Sequence, residues 1–110
     1  MSERIELIPI SGIPEVRDGD VLADLIVAAE PDLRDGDVLV VTQKVVSKAE
    51  GRMVQVDAED PLSHKAIVEQ ESVRIVRRRG DLIISETAHG FVCANAGIDL
   101  SNVERGWAAL

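Results

Sequence analysis

Apolar residues in this chain fall in short blocks divided by Gly, Pro and Asp, and the spacing within each block predicts an element. Ile5, Leu7, Ile8 and Ile10 predict a first strand over residues 5–10. Ile5 and Leu7 share a face, and Pro9 marks an edge position or the strand's end. Beyond Asp18-Gly19-Asp20, Leu22, Leu25, Ile26 and Ala29 recur at helical spacing, which predicts a helix with Asp20 as N-cap and Pro31 past its end. Val38, Leu39, Val40 and Val41 are apolar without alternation, the pattern of a central strand covered on both faces. Thr42 then caps a short helix that Gly51 ends, and residues 52–56 read as another strand.

Asp60 and Pro61 form an N-cap followed by a first-turn proline. One helix or two are predicted from there to about Arg79. Ile67, Val68, Val73, Ile75 and Val76 supply the apolar side, and Arg77, Arg78 and Arg79 a solvated helix end. After a turn at Gly80-Asp81, residues 82–85 predict a strand, and Phe91, Val92 and Cys93 a further, buried one. The chain closes on an apolar run, residues 107–110, that reads as an element cut short. Strands and helices thus alternate, giving a mixed α/β class: a mixed sheet with flanking helices in one domain over residues 1–110.

Composition narrows the function classes. With 110 residues and 45% hydrophobic content, one modest aliphatic core is expected. Phe91 and Trp107 are the whole aromatic complement, so no platform for stacking nucleic-acid bases exists. A net charge of -8 argues against a general polyanion binder and leaves room for an anionic ligand held by local cations and metal. The single cysteine, Cys93, excludes an internal disulfide and reads as a buried small hydrophobe, not a nucleophile served by His64 or His89. No apolar run has transmembrane length, and no membrane partner is expected; the protein is expected to be cytoplasmic.

Candidate chemistry lies at two places. Lys44 and Lys48 stand four apart in the helix that begins where residues 38–41 stop, an arrangement that suits phosphate. The second place is Asp99, a carboxylate after the Gly97 turn with Ser101 and Asn102 beside it. Asp99 suits a hard cation. The same residues also fit a plain turn and helix cap.

Four motifs then occur in order: Gly12-Ile13-Pro14-Glu15, Asp35-Gly36-Asp37-Val38-Leu39-Val40-Val41-Thr42, Val45-Val46-Ser47-Lys48-Ala49-Glu50-Gly51-Arg52 and Asn95-Ala96-Gly97-Ile98-Asp99-Leu100-Ser101-Asn102-Val103. Together they closely resemble the N-terminal portion of coenzyme F420:L-glutamate ligase, also called gamma-glutamyl ligase. The resemblance implies a GTP-dependent enzyme that joins L-glutamate to the deazaflavin F420-0 through an acyl phosphate and then adds further glutamates by gamma linkages. It implies a divalent metal, Mg2+ or Mn2+, and a homodimer. Carried onto this sequence, it implies GTP contacts at Ser11, Gly12, Ile13, Pro14, Gln43, Lys48 and Asn102, and a metal ligand at Asp99. Many relatives have serine where Gln43 stands. The family's second metal-binding segment, an aspartate and a threonine ahead of a Gly-Arg pair, has no counterpart here. A non-catalytic nucleotide-binding or dimerisation module is the alternative.

Overall fold

A computed structural model describes residues 3–101 and 103–110. Its elements are helix α1 (Leu22–Ala28), helix α2 (Gln43–Ala49), strand β1 (Met53–Gln55), helix α3 (Lys65–Glu71), strands β2 (Ser72–Arg79), β3 (Leu82–Thr87) and β4 (Val92–Ala94), and strand β5 (Trp107–Ala109). The mixed α/β class holds, with two small antiparallel sheets as its strand component: β1 with β5, and β2-β3-β4. Helices α1 and α2 and strands β1 and β3 lie where the apolar spacing places them.

The largest departure is at residues 72–79. The predicted helix stops at Glu71, and the chain turns into β2, paired with β3 from Ser72↔Thr87 to Arg79↔Leu82 across the Gly80 turn. Val73, Ile75 and Val76 are β-branched and lose side-chain freedom in a helix, so the hairpin wins once β3 is at hand to pair. The arginine triplet is therefore part of a strand, not a helix end.

Residues 5–10 and 38–41 do not form the predicted strands. Among the described residues no backbone hydrogen bond involves either segment, and both are largely open to solvent. A strand exists only through its ladder, and neither segment has a ladder partner here. The strand at residues 91–93 is short and lies at a sheet edge as β4; Phe91 and Val92 are exposed, and Cys93 is half-buried.

Capping also differs from expectation. Asp20 accepts the Arg17 N–H at 2.7 Å and closes a turn, while Val21 is the N-cap of α1. Thr42 and His64 are the N-caps of α2 and α3 and neither makes a side-chain cap bond. Asp60 accepts the Leu62 N–H at 3.0 Å in a turn ahead of α3. The apolar residues 107–109 complete β5, paired with β1 from Met53↔Ala109 to Gln55↔Trp107.

The core is sparse. Val16, Val68, Ile83, Ala108 and Ala109 are its buried apolar side chains among the described residues. Ser47 and Ser85 are buried with them: the Ser47 hydroxyl donates to the Leu110 main-chain oxygen at 2.6 Å, while that of Ser85 has no partner among the described residues. His64 is buried as well, with an unpartnered Nδ1, and burial followed by the neighbouring Lys65 charge lowers its pKa.

Candidate functional site

Helix α2 is the hub of the candidate site. Its first residue, Gln43, donates through Nε2 to the Gly97 carbonyl at 2.6 Å and to the Ala109 carbonyl at 3.4 Å. These bonds tie the helix start to β5 and to a turn 54 residues away. That turn is left-handed: Asn95, Ala96 and Gly97 all have positive φ. Such a backbone is strained for Ala96 and persists only where its surroundings fix it. Here the Asn95 side-chain oxygen accepts from Lys65 Nζ at 3.0 Å and from the Ile83 N–H at 3.4 Å, while Gln43 holds the Gly97 carbonyl.

Asp99 follows directly. Its backbone bridges Ala109 in both directions, at 3.0 and 2.9 Å. Its Oδ1 accepts from the Ser101 N–H at 2.8 Å and from the Ser101 hydroxyl at 2.7 Å. So Ser101 closes a turn on Asp99, and among the described residues no helix follows for it to cap. Asn102 lies outside the described residues.

The other side of α2 carries the lysines. Lys48 forms an ion pair with Glu15, and the Lys48 side chain is 24% exposed. The Lys48 hydrogen bond, then its charge, holds the Glu15 carboxyl below the ordinary carboxylate range. Ser11, Gly12, Ile13 and Pro14 precede Glu15 in the chain, and none of them lines the cleft. Gly12 sits at φ 86°, a conformation that favours glycine. Glu15, Lys44, Lys48, Met53, Glu104 and Trp107 line an open cleft of about 390 Å³. With seven residues and no buried strand ahead of it, α2 offers no extended helix-start anion site, so any phosphate affinity rests on the two ammonium groups.

Sequence reasoning found Lys44, Lys48, Gln43 and Asp99. It gave no role to Glu15, Glu104, Met53 or Trp107. Glu15 stands in one of the recognised motifs, but its pairing with Lys48 spans 33 residues and leaves no local signal. Among the described residues no group of three His, Cys, Asp or Glu side chains could hold the expected cation. Asp99 supplies one carboxylate toward the roughly six oxygen ligands that Mg2+ or Mn2+ takes. The described residues do not by themselves complete a site for the metal. Among the described residues no helix is long and apolar enough to cross a membrane.

The fold is thus a mixed α/β domain in which helix α2 carries a cleft lined by both lysines and carboxylates. A family model described as F420-0:Gamma-glutamyl ligase matches residues 12–110, and the chain belongs to that family. A protein of Methanothermobacter thermautotrophicus named coenzyme F420:L-glutamate ligase is 43% identical over 94% of this chain and 48% of its own length. Proteins of the same name from Archaeoglobus fulgidus and Methanopyrus kandleri are 38% and 40% identical, each over 94% of this chain and 46% of their own length. The chain spans about half the length of the curated relatives it matches.

Proposed function

We propose that this chain carries the GTP-facing part of a coenzyme F420-0:L-glutamate ligase. In the proposed reaction a carboxylate oxygen of F420-0 attacks the γ-phosphorus of GTP, and GDP leaves. The L-glutamate amine then attacks the acyl carbon, phosphate leaves, and the amine gives up a proton. Later rounds extend the product through gamma linkages, and the working form is a cytoplasmic homodimer. Ser11, Gly12, Ile13, Pro14, Gln43, Lys48 and Asn102 are proposed as GTP contacts.

One observation carries the reading. Three motifs far apart in sequence meet at α2, through the Lys48–Glu15 pair on one side and the Gln43–Gly97 bond on the other. A lysine ammonium there would offset the charge that develops on a transferring phosphoryl group. The Gln43 amide N–H groups are already engaged by carbonyls, so in this reading Gln43 shapes the site as well as bordering it.

Mg2+ or Mn2+, with Asp99 as a ligand, belongs to the reading only with further ligands from outside the described residues, and no step is assigned to it. That shortage favours a second reading, in which this chain alone binds nucleotide without turning it over. Calorimetric titration of the 110-residue chain with GTP, with and without Mn2+, tests both. Binding is expected in either case. A folded chain that takes up no GTP would overturn the assignment of the cleft. Turnover of GTP with F420-0 and glutamate by this chain alone would overturn the second reading.

A further inference from the structure

The chain exposes far more surface than its size requires. For a folded chain of 11.9 kDa, area scaling gives an accessible surface of about 5,900 Å². The observed surface is 8462 Å². The radius of gyration is 17.1 Å, where a compact domain of this length has about 13 Å. The most exposed large apolar side chains lie in two segments: Leu7 is 89% exposed and Ile5 88%, Val40 86% and Val38 83%. Residues 38–41 are apolar on both faces, which suits a strand flanked by two neighbours and covered above and below. Nothing among the described residues pairs with them.

We infer that residues 5–10 and 38–41 are docking strands for the part of the ligase fold that this chain does not match, whether one polypeptide or two supply it. The relatives are about twice as long as the region they share with this chain, so a second body of similar size exists in the family to cover them. The excess of roughly 2,500 Å² is the share of one partner in an obligate interface. A second copy of this chain is the poorer occupant. It brings a net charge of -8 against -8, and self-pairing gives each segment one neighbour and no cover. Strand addition would satisfy the idle backbone groups while alternate side chains enter the partner's core. The inference rests on family membership and exposed surface, not on the nucleotide reading.

The test is co-expression of this chain with a tagged polypeptide covering the unmatched part of the Methanothermobacter thermautotrophicus relative. A one-to-one complex is expected by native mass spectrometry. Amide exchange at residues 5–10 and 38–41 should slow by about a hundredfold or more on association. Leu7→Lys and Val40→Lys should abolish the complex while leaving the circular dichroism and melting of the chain alone unchanged, because both side chains are already in solvent. Absence of a complex would overturn the inference. So would a complex in which those amides exchange as fast as before, or protection of them in the isolated chain through self-association. No outcome depends on GTP, so failure here is distinct from failure of the proposed function.

Discussion

The Glu15 carboxylate paired with Lys48 offsets the ammonium charge and repels a phosphate brought to it, and this gives two substitutions of opposite sign. Lys48→Ala removes a charge-assisted contact from a largely shielded side chain, a loss of about 1.5–3 kcal/mol when the partner is an anion. At 1.4 kcal/mol per factor of ten, GTP affinity should fall roughly 10- to 150-fold. Glu15→Gln removes the carboxylate that occupies the ammonium and keeps the side-chain shape. GTP binding should therefore tighten, and more so at low salt, where charge is less screened. Calorimetry on the two variants and the parent chain, at two ionic strengths, reads both effects. An unchanged dissociation constant for Lys48→Ala would refute the phosphate role. Weaker binding in Glu15→Gln would show that the pair shapes the cleft and does not oppose its ligand.

Three further outcomes follow from the packing. Gly51 has φ 67°, and a Cβ there would lie 2.7 Å from the Asp18 carboxylate, so Gly51→Ala should cost about 1–2 kcal/mol in a melting experiment; adding Asp18→Ala should recover only the part due to the clash. Ser47→Ala should destabilise by about 1–3 kcal/mol by stripping the Leu110 main-chain oxygen of its donor, whereas Ser85→Ala should leave stability unchanged or raise it, because its buried hydroxyl has no partner to lose among the described residues; equal losses would refute this. The His64 pKa is lowered from 6.5 in the fold, so the unfolded chain takes up the proton first; stability should decline as pH drops below about 6.5 and level off below the lowered value, and a His64→Gln variant should lack that step in its melting profile.

How much was legible in the sequence depends on where each element finds its partners. Helices α1 and α2 close their own hydrogen bonds, so the spacing of Leu22, Leu25 and Ile26 sufficed. Strands β1 and β3 have partners within the described chain and appear as expected. Residues 38–41 carry an equally clear strand pattern, but no ladder is present for them, and pattern alone does not reveal that. At residues 72–79 the apolar positions suit either period, and β3 decided the outcome. The four motifs were visible one by one. The meeting of three of them at α2 was not, because the Gln43–Gly97 and Lys48–Glu15 contacts join residues 54 and 33 apart.

Strand β2 stands at one edge of its sheet, with every residue after Ser72 exposed. Val73 and Val76 on an open edge are an invitation to uncontrolled association. Arg77, Arg78 and Arg79 occupy the same strand near the hairpin tip, and successive side chains send positive charge to both of its faces. A second β2 approaching in parallel would set arginine against arginine. The triplet expected at a solvated helix end therefore places charge of the kind that opposes edge-to-edge stacking on the strand of a chain that already bares much apolar surface.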